Sequence, residues 1–235
     1  MINEVRNTVL FMLNKDNNGY ISPEQFNLYA RQAQLERQYE YFNDFSLSVN
    51  KTNNHLNTTG HSDIAKRREE VIDLFTEQSV LVFNGTTLRF VIPSDKYSMG
   101  TVLKSDFKTE IDLVSHHKIP YLISSLDTTP DDGYPVYSIF GNEIQVYPST
   151  INVTGDVIAN YVRFPKDPKW TYTSITNGDP LFNPGASGYQ DFELPKDDEI
   201  NLIMKILLYS GVEIRDPQVI QIAQSEEIQN NQDKS

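Results

Sequence analysis

The run Asn14-Lys15-Asp16-Asn17-Asn18-Gly19-Tyr20-Ile21-Ser22-Pro23-Glu24-Gln25 comes closest to a site that could do chemistry. Aligned on Gly19, it places side-chain oxygens at Asn14, Asp16 and Asn18. Ile21 falls where a helix–loop–helix calcium site wants an apolar residue. Calcium is most demanding at the two ends of such a loop, and there the pattern departs. The first ligand is Asn14, and the twelfth is Gln25, an amide that cannot supply a bidentate carboxylate. Glu24 falls one position early, and no second loop pairs with this one. The reading is a degenerate loop and no metal. Asn and Asp satisfy local backbone groups in a turn between helices, and Gly19 supplies positive φ.

The other reactive residue types are dispersed. His55 and His61 lie in a polar run, and His116-His117 would point about 100° apart on a helix, a poor chelate. Asp131-Asp132 sits in a Pro/Gly turn and Asp197-Asp198 at a helix start, so a turn and a cap explain both acidic pairs. Lys66-Arg67-Arg68 is neutralised at once by Glu69-Glu70. No cysteine occurs in the 235 residues, which excludes disulfides, thiolate nucleophiles and cysteine-ligated metals. The sequence contains no Gly-rich phosphate loop, no Gly-x-Ser-x-Gly elbow and no His-Glu-x-x-His pair. Nothing here supports an enzyme or a cofactor.

The elements that would position these residues are helices at the ends and strands between. Ile2, Val5, Val9, Met12 and Leu13 recur at helical spacing. Ser22-Pro23-Glu24-Gln25 combines an N-cap, a first-turn proline and a capping-box glutamine, so a second helix runs from there to about Tyr41. From Asn43 to Asp63 the chain is polar, and it reads as a loop that a partner must order. Phe45, Leu47, Val49 and Leu56 are its apolar anchors and the candidate interface residues. Helix resumes over Asp63–Gln78. At the far end Asp197-Asp198-Glu199 opens a helix with the stripe Ile200, Ile203, Met204, Leu207 and Leu208, ended by Gly211. Asp216-Pro217 opens a last one, and the sequence is polar from Ser225.

Between these lie strands. Val80–Phe83 and Thr86–Ile92 flank Asn84-Gly85, a hairpin signal. Tyr97–Leu103 predicts a strand, and Thr109–His117 a short helix stopped by Pro120. Tyr134–Phe164 predicts a three-stranded meander, with a turn at Gly141-Asn142 and a last strand whose Ile158, Val162 and Phe164 share the inner face with Asn160. The fold class is α+β: terminal helices packed as a helical bundle, with a central antiparallel sheet or sandwich lobe. The domains are 1–78 plus 196–235, helical, and 79–195, β-rich, including a Pro/Gly-rich excursion over 165–195 held by aromatic residues. Hydrophobic residues make up 38% of the chain, enough for a core, and the formal charge of −12 opposes gripping of nucleic acid by phosphate neutralisation. No run approaches the roughly 20 apolar residues of a membrane span, and the N-terminal residues do not read as a signal peptide. The expectation is a soluble chain made in the cytosol.

Three groups of residues carry a family resemblance. They are the turn Asn14–Asn27, the segment from Tyr147-Pro148-Ser149-Thr150 through Tyr161-Val162-Arg163-Phe164-Pro165-Lys166-Asp167-Pro168-Lys169-Trp170, and Asp191-Phe192-Glu193-Leu194-Pro195 leading to Tyr209-Ser210-Gly211-Val212. In this order and spacing they resemble the head-to-tail connector ring (adaptor) proteins of crAss-like tailed bacteriophages. The resemblance does not extend over Asn43–Asp63. It implies a structural virion protein, assembled in the host cytoplasm, forming a homo-oligomeric and commonly twelve-fold ring. Such a ring extends the portal channel, bears on the portal protein and carries further tail components. DNA is then only the genome in transit. The alternative is a carbohydrate- or protein-binding β-module for host recognition, with Trp170, Tyr172 and Tyr189 as an exposed aromatic platform.

Overall fold

A computed structural model describes residues 1–15, 20–53, 69–174 and 179–214. The protein is mixed α/β, with one large and mostly antiparallel sheet and few helices. It divides into two compact units, residues 1–74 with 165–235, and residues 75–164. The excursion 165–195 thus falls with the helices.

In the first unit, α1 (Ile2–Lys15) buries Ile2, Val5, Val9 and Leu13, spaced for one helical face. The helix α2 (Pro23–Asn53) starts where the capping box predicts. The Ser22 amide donates to Gln25 Oε1 at 3.0 Å and the Gln25 amide to Ser22 Oγ at 3.2 Å. It does not stop near Tyr41, and the polar run begins as helix. No Gly or Pro interrupts the sequence between Glu24 and Thr59, so polar composition was the only signal for a loop, and composition does not break a helix. A last long helix, α4 (Glu199–Ile214), follows a 3₁₀ turn at Lys196–Asp198 and packs on both α1 and α2. Gly211 lies inside α4 rather than capping it, and Ile200 is 71% exposed. Leu202, Ile203, Ile206 and Leu207 are the buried stripe instead. The predicted helix from Asp216 and the polar tail lie outside the described residues.

The second unit is the sheet. Its strands are β1 (Thr76–Val80), β2 (Val82–Asn84), β3 (Arg89–Val91), β4 (Lys96–Lys104), β5 (Glu110–Leu113), β6 (Val136–Phe140), β7 (Glu143–Tyr147) and β8 (Val157–Arg163), in the order β1-β8-β4-β5-β6-β7-β3-β2. The two outermost strands are separated in sequence by Leu81 alone. Eight strands laid flat would span about 34 Å, whereas the residues flanking Leu81 lie at most about 7 Å apart. The sheet therefore curls until its ends meet. Inside the curl, Leu81, Phe90, Ile92, Val102, Ile111, Tyr137, Ile144, Val146, Ile151, Val157 and Ala159 form one core.

Five readings of this region are corrected. β8 does not follow β7 in a meander; it crosses to pair with β1 and β4, while β6 and β7 alone form the hairpin at Gly141-Asn142. The core takes Val157 and Ala159 of β8, and Asn160 faces the other way, so the inner face is the opposite parity. Asn160 instead accepts from Gln78 Nε2 at 2.9 Å and donates to Thr101 Oγ1 at 2.9 Å, a polar ladder across three strands. The Asn84-Gly85 turn is four residues long, pairing Asn84 with Arg89, because Asn84 Oδ1 accepts from the Thr86 amide and bends the chain earlier. Thr109–His117 holds β5 rather than a helix: Ile111 alternates with exposed neighbours, and Pro120 sits in the first turn of α3 (Ile119–Ser124) instead of ending one. Likewise Gln78 belongs to β1, not to a helix. A short pair, β9 (Tyr172–Thr173) and β10 (Leu181–Phe182), belongs to the first unit.

Candidate functional site

The most heavily built polar arrangement lies along one side of α2. Asn27, Arg31 and Gln34 fall at i, i+4 and i+7, on one helical face. Each engages the extended segment Lys166–Trp170, in reverse order. The Trp170 amide donates to Asn27 Oδ1 at 2.8 Å, and Asn27 Nδ2 donates to the Trp170 carbonyl at 3.2 Å. Arg31 Nε lies 3.1 Å from Asp167 Oδ1. Gln34 Nε2 donates to the Lys166 carbonyl at 2.8 Å, and Gln34 Oε1 accepts from the Glu193 amide at 3.0 Å. The spacing explains the match. Seven helical residues rise about 10 Å, and four extended residues span about 13 Å. Two amide side chains a heptad apart can thus serve both ends of one short extended run.

Trp170 is the anchor of this clasp. It is 2% exposed, its Nε1 donates to Asn3 Oδ1 of α1 at 3.0 Å, and the Arg6 guanidinium lies 3.9 Å from its ring centroid. Tyr172 and Phe182 stack on it at 5.6 and 5.8 Å. Burial pushes the Arg6 guanidinium below its ordinary value, although the Tyr20 hydroxyl acts in the opposite sense. Asp191 fastens the other end, accepting from the Ile2 amide at 2.8 Å, where the positive end of α1 favours a carboxylate. Of the aromatic platform Trp170, Tyr172 and Tyr189, Trp170 is buried against α1, Tyr189 is half-buried and Tyr172 remains 38% exposed.

A second polar seam joins α2 to α4 and was not read from the sequence. Arg37 Nη2 donates to Asp198 Oδ1 at 2.6 Å, Tyr41 donates to Asp198 Oδ2, and Asn201 Nδ2 to Asp198 Oδ1 at 3.1 Å. Lys205 Nζ lies 3.2 Å from Glu36 and 2.7 Å from Glu40, and the Tyr209 hydroxyl donates to Glu36. Burial works against the Arg37 charge, but Asp198 and Glu40 outweigh it and raise its pKa. Burial and the hydrogen bond to Asp198 push the Tyr41 hydroxyl up. Asp197 and Asp198 do lie at the helix start, Asp197 exposed, but Asp198 is also buried in the seam, which a cap alone does not explain. The available signal was the spacing Asn201, Lys205, Tyr209 at i, i+4, i+8, a polar stripe inside an otherwise apolar helix.

The sequence-derived candidates are not brought together. Asn14 is exposed on α1, while Asp16 and Asn18 lie outside the described residues. Gln25 turns its side-chain oxygen back to the Ser22 amide. Phe45 is half-buried and Leu47 57% exposed on α2; Leu56 and the side chain of Val49 lie outside the described residues. Among the described residues no three His, Asp or Glu side chains converge as metal ligands, and no helix is long and apolar enough to cross a membrane. Comparison with protein-family models gave no match, and comparison with curated proteins gave none that is significant.

Proposed function

We propose that this chain is a structural virion protein, a ring subunit of the head-to-tail connector of a crAss-like tailed phage. In that reading its terminal helices pack as a helical bundle that docks on the portal or a neighbour, and twelve copies close the ring. The ring extends the portal channel for DNA passage and carries tail components, and its subunits assemble in the host cytoplasm. One observation carries the reading. Residues from the three segments that resemble the family clasp one another in the first unit: the Trp170 amide donates to Asn27, and the Lys166 amide donates to Glu193. Their polar side chains are spent on mounting one segment on another, which is what an architectural subunit needs. The formal charge of −12 suits a lumen that DNA traverses without being retained. Electron microscopy of the concentrated full-length chain, alone and with its portal protein, tests this. Closed rings of about twelve subunits are expected. A chain that stays monomeric and leaves the portal unbound overturns it.

A further inference from the structure

The pair Asn84-Gly85 carries a chemistry of its own. A carboxamide followed by glycine can react with the chain that bears it. The Gly85 nitrogen loses its proton to solvent and attacks Asn84 Cγ, the carboxamide nitrogen takes up a proton and leaves as ammonia, and a five-membered cyclic imide forms. Water then opens the ring at either carbonyl, giving aspartate or isoaspartate. The sum is asparagine plus water to aspartate plus ammonia, with no oxidant, reductant or cofactor. Glycine favours the attack because it places no Cβ beside the nitrogen, and even an added Cβ at Gly85 would meet nothing within 4 Å. Gly85 is exposed, and Asn84 is half-buried at the end of β2.

The turn favours this reaction at one end of the carboxamide and opposes it at the other. The Thr86 amide donates to Asn84 Oδ1 at 3.0 Å, where negative charge develops as Cγ becomes tetrahedral. The nitrogen end is held. Asn84 Nδ2 donates to Glu143 Oε1 at 3.2 Å, and that carboxylate is itself fixed. Thr87 Oγ1 donates to the same oxygen at 3.0 Å, and Arg89 Nη1 lies 3.8 Å from Oε2, with its guanidinium 4.4 Å from the Phe140 ring centroid. To turn its carbon onto the Gly85 nitrogen, the carboxamide must give up a bond to an ionised acceptor. We propose that Asn84 is a latent deamidation site and that Glu143 is its latch. The product would set a second carboxylate against Glu143, and isoaspartate would add a carbon to the backbone where Asn84 pairs with Arg89. The mark therefore loosens β2 from β3 at the closing edge of the curled sheet. It does so whatever the chain assembles into.

The test uses the full-length parent and the variants Glu143→Ala, Glu143→Gln and Asn84→Asp. Folded samples are held at mildly alkaline pH and digested, and mass spectrometry follows aspartate and isoaspartate at position 84; the parent in urea gives the unrestrained rate. The folded parent is expected to react about tenfold or more slowly than the urea sample. Glu143→Ala should react about tenfold faster than the folded parent, the rate equivalent of one hydrogen bond to a charged group. Glu143→Gln, which keeps a neutral acceptor, should fall between. Hydrogen exchange over residues 82–91 separates loss of the latch from loss of the hairpin: the faster rate must come with the hairpin still protected. A Glu143→Ala rate equal to that of the folded parent overturns the proposal, as does a folded parent as fast as the urea sample or a gain seen only where the hairpin has opened. Asn84→Asp, the product made by mutation, should speed exchange over residues 82–91, and exchange like the parent's would overturn the loosening.

Discussion

Asn27 and Trp170, 143 residues apart, complete each other's hydrogen bonding: one carboxamide supplies the acceptor for the Trp170 amide and the donor for its carbonyl. A buried backbone donor and acceptor that lose their partners cost about 1–3 kcal/mol each. Asn27→Ala is therefore expected to lower the unfolding free energy by about 2 kcal/mol or more. Asn27→Asp keeps the acceptor, loses the donor and should cost less. Urea unfolding decides it: an Asn27→Ala loss below about 0.5 kcal/mol would show that the contact does not hold the fold.

Arg37 and Asp198 should behave as a buried ion pair, since their side chains are 11% and 3% exposed. Removing Asp198 alone leaves the buried guanidinium with Glu40 as its one remaining counter-charge among the described contacts and takes the acceptor from Tyr41 and Asn201, so Asp198→Ala is expected to cost about 3 kcal/mol. The double variant Arg37→Met with Asp198→Leu, which removes both charges and keeps the volume, should recover most of that. A double-mutant cycle with no coupling would refute the pairing.

What the sequence made legible was local. The capping box at Ser22 and Gln25, the hairpin turn at Gly141-Asn142 and the apolar spacing of α1 each depend on residues within a few positions of one another. The pairing of β8 with β1 and β4 depends on a sheet that curls, and no residue of β8 signals its partner. The inner face of β8 was misread for a related reason: Ile158 is also buried, at 5% exposure, so burial does not alternate cleanly along the strand. The seam of Arg37, Asp198 and Lys205 stayed hidden because each charge, taken alone, has a sufficient explanation on its own helix. Its partners are set by how α4 packs on α2, a relationship that periodicity does not encode.

Gly100 lies in the irregular stretch of β4 between Met99 and Val102. A Cβ there would meet the Asn160 carbonyl oxygen of β8 at 2.8 Å, and that oxygen belongs to backbone that cannot step aside cheaply. Gly100→Ala is expected to destabilise the sheet by about 1–3 kcal/mol. Gly85, where an added Cβ meets nothing within 4 Å, is the control. Thermal unfolding of the two variants should separate them by several degrees. Equal melting temperatures would mean that the close approach of β4 to β8 is not required.

Asp106 organises the turn between β4 and β5, where Phe107 takes a φ of 57°. Its carboxylate accepts from the Lys108 amide at 2.9 Å, the Thr109 amide at 3.0 Å and the Thr109 hydroxyl at 2.8 Å. Three donors favour the ionised form. The backbone bonds to Lys108 and Thr109 lead in holding the carboxyl down to about 2, below the ordinary carboxylate value. A carboxyl whose pKa is depressed by folding stabilises the fold above the unfolded value near 4 and loses that contribution as the pH falls through the folded value. The turn should therefore stay intact at mildly acidic pH and loosen only near pH 2. Amide chemical shifts of Lys108 and Thr109, followed by acid titration, should report a midpoint of about 2 that vanishes in Asp106→Asn. A midpoint near 4 would mean that the three donors do not favour the carboxylate, and the turn would then owe its shape to the backbone alone.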